Sequence, residues 1–397
     1  MTTKIAVRNL FKIFGQRPGK AMSLLRQGLP KDEIFARTGQ SVGVQDASFE
    51  IEAGEIFVIM GLSGSGKSTL VRMLNRLIEP TSGGVLIDGR DITRLPQREM
   101  IELRRRDMSM VFQNFALMPH LRVWQNAAFG LDVAGMSAQV QRDRAMQALD
   151  AVGLKAYAES WPSALSGGMQ QRVGLARALA NEPSILLMDE AFSALDPLTR
   201  GEMQDELLRL QTEQQRTIVF ISHDLDEAIR IGDRLAIMEG GRIVQIGRPD
   251  EILKSPANDY VRSFFRDVDL TRVLTAGDIA RRDQVSLVRH PGEGIRAALR
   301  QLRERDREFG YVQDARRRFH GIVSVETLIE TMKKGDGATL TDALLPDVMP
   351  ISAATSMSEI LPLVTRSPHP LPVVDDNGAY VGAISRTVYL EALGRSH

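Results

Sequence analysis

The sequence predicts an α/β protein with a parallel sheet, followed by a repeated α+β module. Three observations carry this. Short, wholly apolar runs at Ile56–Met60, Ile185–Met188 and Thr217–Ile221 alternate with amphipathic stretches such as Met203–Leu210. Parallel strands buried on both faces read as continuous apolar runs of this kind. The first run leads through a glycine-rich turn into Leu70, Met73, Leu74 and Leu77, which follow the 3.6-residue period of an amphipathic helix. Beyond residue 275, a unit recurs after about sixty residues.

The bulk composition narrows the classes. A chain of 397 residues exceeds one ordinary core, so more than one domain is expected. Lys plus Arg and Asp plus Glu each number 50, so no net field draws the chain to nucleic acid or acidic lipid, and no nucleic-acid partner is expected. The chain has no cysteine, which excludes disulfides and Cys-ligated metal and fits a reducing cytosol. Met1–Leu10 lacks the apolar core of a signal peptide, and no apolar run approaches the ~18 residues a membrane span needs. Any work at a membrane therefore requires another subunit to supply the spanning helices.

Along the chain, Ile5–Val7 and Val44–Ile51 are short strand candidates, and residues 16–41 interrupt them as a helical insertion with Met22, Leu24, Leu25, Ile34 and Phe35 at helical spacing. The first domain is expected to span 1–268, its core ending near 240–265. The repeats are expected at 275–336 and 338–394. Tyr311–Asp314 aligns with Pro372–Asp375, and Phe319–Ser324 with Tyr380–Ser385. Each unit reads as helix, strand, turn, strand, helix. Asp376-Asn377-Gly378 is a good hairpin turn, whereas Ala315-Arg316-Arg317 is a less obvious one.

The chemistry concentrates in the first domain. Gly61-Leu62-Ser63-Gly64-Ser65-Gly66-Lys67-Ser68-Thr69 matches the phosphate-binding loop and lies between a predicted strand and helix. Its small residues let backbone N–H groups wrap a triphosphate at a helix N-terminus, where the dipole favours anions. Lys67 is placed to reach the β- and γ-phosphates of ATP, and the Ser68 hydroxyl to ligate Mg²⁺. The loop alone does not separate kinases, GTPases, helicases and transport ATPases. Asp189 and Glu190 end an apolar strand where open α/β sheets place their ligands. Asp189 is expected to hold Mg²⁺, directly or through water, and Glu190 to act as general base on the attacking water. Ser166, Gly167 and Gly168 open a second helix with an N-cap and glycines suited to an anion. Alone, that segment could be an ordinary capped helix, and a lone His223 after a strand reads as structural.

The string Leu165-Ser166-Gly167-Gly168-Met169-Gln170-Gln171-Arg172 closely resembles the signature of the ABC ATPases. That resemblance implies a P-loop ABC ATPase core with a helical subdomain. It also implies that Ser166–Gly168, with Gln170, face the γ-phosphate bound by a second copy of the chain. The other motifs then fall in order. Gln113 resembles the Q-loop glutamine, which touches Mg²⁺ and reports to a permease; Ser193–Asp196 resembles the D-loop, with Asp196 facing the nucleotide. His223 resembles the switch histidine on the γ-phosphate, and Phe14 the aromatic that stacks on adenine, with Phe11 second.

A closer resemblance rests on the 16–41 insertion, Glu55–Ser63, Phe115–His120 and Asp189–Ser193. These are similar to the ATPase subunits of glycine betaine/proline importers of the ProV and OpuA type, and the C-terminal repeat resembles their tandem CBS pair. This implies a peripheral subunit at the cytoplasmic face of the inner membrane, energising uptake of glycine betaine, proline betaine or proline. Its implied partners are integral-membrane permease subunits and, indirectly, an extracytoplasmic substrate-binding protein. Choline or carnitine import is the alternative, and a soluble ABC ATPase a more distant one. Two departures stand out. Where many nucleotide-binding CBS motifs place a ribose-holding Asp, this chain has Thr327 and Val388, and its end, Ala392–His397, is not an acidic tail.

Overall fold

The computed structural model describes residues 2–112, 116–193, 195–265, 271, 273–282, 284–288, 294–334 and 338–394. The chain divides into two compact units, Met1–Phe265 and Arg266–His397.

A six-stranded sheet organises the first unit, in the order Arg242–Gly247, Arg234–Glu239, Ile56–Met60, Thr217–Ile221, Ile185–Asp189, Met108–Val111. The pairs are parallel except the first, which is a hairpin. Every residue of Ile56–Met60, Ile185–Asp189 and Thr217–Ile221 is buried, which explains why these strands show no period of two. Register then positions the site. Ile59 and Asp189 both stand opposite Ile221, so the turns after residues 60, 189 and 221 emerge along one edge of the sheet.

A second, antiparallel sheet runs Ser41–Glu52, Thr3–Phe14, Ser82–Ile87, Arg90–Asp91. Its two long strands have 12 residues each, against the short ones read from the sequence. Bulges hide their length: Asn9 and Asp46 adopt φ of 42° and 52°, and Asn9 Nδ2 donates to Asp46 Oδ1 at 3.0 Å. Each extra residue inverts the inside–outside alternation, so the pattern breaks where the strand continues. One core joins the two sheets, with the Phe49 and Phe57 rings stacked at 5.3 Å between centroids.

Residues 16–41 form the helices Pro18–Arg26 and Lys31–Thr38, which bury Ala21, Met22, Leu25 and Ile34 against Ile13 and Val42. Val123–Val133, Ala138–Ala151 and Gly167–Leu179 pack on one another as a helical subdomain. Arginines lie over both tryptophans there: Arg142 is 4.6 Å from the Trp124 ring and Arg122 is 4.7 Å from that of Trp161.

The second unit holds two three-stranded sheets of the same design: Val285–Val288, Phe309–Gln313, Phe319–Ser324, and Ile351–Ser352, Leu371–Val374, Tyr380–Ile384. In each, the first pair is parallel and the second antiparallel. The leading strand is missing from the helix–strand–turn–strand–helix reading, because four and two residues are too few to show a period. Both hairpin turns use an aspartate cap. Asp314 Oδ1 accepts from the N–H groups of Arg316 and Arg318, each at 2.9 Å, and Asp375 Oδ1 accepts from those of Asn377 and Ala379 at 2.9 and 2.8 Å. Thr327 belongs to a capping box with Ser324, their reciprocal bonds both 3.0 Å, while Val388 is buried. Among the described residues, no helix is long and apolar enough to cross a membrane.

Candidate functional site

The loop after Met60 leads into the helix Lys67–Leu74 through Gly66 at φ 100°. A Cβ on Gly66 would stand 2.3 Å from the Gly43 carbonyl oxygen, so both backbone angle and space demand glycine. Gly66→Ala is expected to lower unfolding stability by about 1–3 kcal/mol, the range for one strained backbone site, and to weaken ATP binding. Urea denaturation and ATP titration of the variant check both effects.

Lys67 is 5% exposed, and its ammonium donates to the carbonyls of Gly61 at 2.8 Å and Leu62 at 3.2 Å. Burial pulls its pKa down, and the nearby Glu190 and Asp189 carboxylates oppose that shift. The next residue, Ser68, donates its hydroxyl to Asp189 Oδ1 at 2.8 Å. Arg72, one turn further along the same helix face, reaches Asp189 Oδ2 at 3.1 Å. Asp189 is 2% exposed, so both oxygens of a buried carboxylate are held by this helix. Arg72 escaped the sequence reading, although its position four residues after Ser68 is the signal that could have found it.

Glu190 follows at φ 48°, unusual for a residue with a Cβ. Ser193 fixes it there, its N–H and hydroxyl both donating to the Glu190 carbonyl at 3.2 and 2.9 Å. His223 Nδ1 lies 3.6 Å from Glu190 Oε2, with the imidazole largely exposed. Residues 61–69, 189, 190 and 223 therefore share the sheet edge at which the register aligns their strands. Ser63 and Gly64 are exposed on the loop, whereas Ser65 is buried and its carbonyl accepts from Gly241 N–H at 2.9 Å.

Phe14 ends its strand with a half-exposed ring, and a Cβ built on Gly43 would lie 2.8 Å from Phe14 Cε2 and 3.5 Å from Thr69 Cγ2. The ring thus stands over the start of the loop's helix. Phe11 instead packs partly buried against the inserted helices.

Ser166 N-caps Gly167–Leu179, accepting from Met169 N–H at 3.3 Å, and both Ser166 and Gly167 are exposed. Gln170 closes the preceding turn through bonds of 3.2 Å each from its amide nitrogen to the carbonyls of Pro162 and Leu165. Among the described residues, no hydrogen bond joins this helix start to the phosphate loop. Their helices have different neighbours: Gly167–Leu179 lies with the helical subdomain, and Lys67–Leu74 against the strands that end in Asp189 and Ile221. Asp196 caps Pro197–Gln214 by accepting from Thr199 N–H at 3.1 Å, and the Thr199 side chain, with that N–H second, holds its carboxyl below the usual range. Gln113 lies outside the described residues. Sequence reasoning also missed Tyr260, whose hydroxyl accepts from Leu62 N–H at 3.4 Å and donates to the Met238 carbonyl at 3.0 Å.

Comparison with known proteins identifies the family. Residues 44–193 match the ABC transporter family, and residues 340–395, the second repeat alone, match the CBS domain. The chain is 57% identical over 396 residues, 100% of its length and 98% of the relative's, to the glycine betaine/proline betaine transport system ATP-binding protein ProV of Salmonella typhimurium. It is 47% identical, over 98% of its own length and 92% of the relative's, to the glycine betaine transport ATP-binding protein OpuAA of Bacillus subtilis. Among solved structures, the dimeric post-hydrolysis state of the ATP-binding cassette MJ0796 with ADP and Pi superposes with a TM-score of 0.53 at 31% identity. That match covers 62% of this chain and 98% of the cassette. With whole-length identity well above what chance or fold alone produces, the chain belongs to the ATP-binding subunits of ABC transporters, together with these betaine-system relatives.

Proposed function

We propose that two copies of this chain close on two ATP molecules and use their hydrolysis to drive uptake of glycine betaine, proline betaine or proline through a membrane permease. The observation that carries this is the separation of two glycine-rich helix starts within one chain. One is surrounded by Lys67, Asp189, Glu190 and His223, and the other begins at Ser166 and Gly167, both exposed, with Gly168 half-buried behind them. An exposed helix N-terminus is an anion site in search of a ligand. A second copy supplies the γ-phosphate, as the dimeric cassette among the structural relatives supports.

In this mechanism, Phe14 stacks on adenine and Lys67 shifts from the loop carbonyls onto the β- and γ-phosphates. The hydroxyl of Ser68 and the carboxylate of Asp189 are hard oxygen donors 2.8 Å apart, a set that suits a magnesium ion otherwise held by phosphates and water. Gln113 is assigned to the same ion from its motif alone. When bound, magnesium neutralises charge on the β- and γ-phosphate oxygens. Glu190 takes a proton from water as the water oxygen bonds to the γ-phosphorus and the bond from that phosphorus to the bridging oxygen breaks, leaving ADP and phosphate. His223 hydrogen-bonds the γ-phosphate, and Asp196 faces the partner's nucleotide from the start of the helix it caps.

The chain then works peripherally at the cytoplasmic face of the membrane, through permease subunits that receive solute from an extracytoplasmic binding protein. The substrate assignment rests on the names of the relatives, one of which also transports carnitine. Cells lacking this subunit are expected to lose labelled glycine betaine uptake at high osmolarity and regain it on complementation. Betaine uptake unchanged by the deletion would overturn the assignment, and loss of labelled choline uptake in its place would move it to the choline systems.

A further inference from the structure

The phosphate loop is anchored by a residue far from any nucleotide motif. Lys67 donates to the Gly61 carbonyl at 2.8 Å, and the Leu62 N–H donates to the Tyr260 hydroxyl at 3.4 Å. The Gly61 carbonyl and the Leu62 N–H are the two poles of one planar peptide unit. The ammonium and the hydroxyl therefore hold opposite ends of the same rigid plate. That plate follows Gly61 at φ 151°, where a Cβ would lie 2.3 Å from the Met238 carbonyl oxygen, so only glycine fits before it. Tyr260 donates to that same Met238 carbonyl at 3.0 Å, which ties the plate to the end of the neighbouring strand.

We propose that Tyr260 is a positioning residue for ATP binding: its hydroxyl fixes the Gly61–Leu62 peptide, and through it the carbonyl on which Lys67 waits. The tyrosine is set for this role by its helix. Asn258 caps Asp259–Phe264 by accepting from Val261 N–H at 2.9 Å, Val261 is fully buried, and Phe264 packs edge-on to the Tyr260 ring at 5.1 Å. Burial raises the phenol pKa, so the group stays a donor throughout the working range. This helix is also the last element of the first unit, ending one residue before the Phe265–Arg266 boundary. The covalent path from the CBS-bearing unit to the phosphate loop thus passes through the element that carries Tyr260.

This rests on the ATPase reading above, and the test separates the two. Tyr260→Phe in the full-length chain removes one oxygen and keeps the ring. Losing a hydrogen bond of ordinary net strength corresponds to roughly a three- to ten-fold change in an equilibrium constant. The KM for ATP and the Kd for the slowly hydrolysed analogue AMP-PNP are both expected to rise by that factor. The kcat is expected to stay within about two-fold and the melting temperature within ~3 °C. A Kd equal to wild type overturns the proposal. So does a parallel fall in kcat and melting temperature, because that is the mark of a merely structural hydroxyl. Wild-type protein that fails to bind AMP-PNP would instead overturn the ATPase reading itself.

Discussion

Glu190→Gln is expected to keep ATP affinity, accumulate an ATP-bound dimer and cut phosphate release by about 10²–10⁴-fold, the usual contribution of a positioned general base. The structure explains why so small a change has so large an effect. Glu190 sits at φ 48°, and Ser193 holds its backbone through two bonds, so the carboxylate is placed by strain that the surrounding chain maintains. Glutamine keeps the shape and the backbone tether but offers an amide where a proton must be accepted. Its volume leaves Ser68 and Asp189 in place, and Lys67 keeps the Asp189 carboxylate as a counter-charge, which is why binding survives. Gel filtration with ATP reads the dimer and a phosphate-release assay reads turnover. Hydrolysis within a few-fold of wild type would remove Glu190 from the role of base and return it to a structural pairing with His223, 3.6 Å away.

What the sequence exposed, and what it concealed, follows from how local each feature is. The nine residues from Gly61 to Thr69 carry their own geometry, since a tight turn into a helix needs small residues in a fixed order. Asp189 and Glu190 were legible because an apolar strand ended on them. That they meet Lys67 and His223 depends on strand register, which no local pattern encodes. Asn9 and Asp46 concealed the length of the long antiparallel strands, because a bulge inverts the alternation that marks a strand. The strand Ile351–Ser352 was concealed by being only two residues long. Gln170 sits inside a motif, yet the fold uses its amide to close the turn at Pro162 and Leu165. Tyr260 is the extreme case, for its partner Leu62 lies 198 residues away and a tyrosine on a short helix carries no pattern of its own.

Lys67→Ala is expected to abolish measurable ATP binding, with a loss on the order of 10²-fold or more. A charge-assisted contact is worth about 1.5–3 kcal/mol, and one tenfold change corresponds to about 1.4 kcal/mol; Lys67 serves two phosphates. The electrostatics sharpen the expectation. Its ammonium is the charge that faces both Glu190 and Asp189, as their opposing pull on its pKa indicates. Without it, a triphosphate must approach two carboxylates, and the neighbouring Arg72 is already engaged by Asp189 Oδ2 at 3.1 Å. The unliganded protein behaves differently from the liganded one. Removing a desolvated ammonium relieves a burial penalty but leaves the Gly61 and Leu62 carbonyls without their donor, and the two effects oppose each other. The melting temperature without nucleotide is therefore expected to change little. The decisive reading is the rise in melting temperature on adding ATP, which for wild type grows with ligand concentration by mass action and for Lys67→Ala is expected to vanish. An undiminished ATP-dependent rise in the variant would place the phosphates elsewhere than on this loop, and with them the whole assignment of the sheet edge around Asp189 and Glu190.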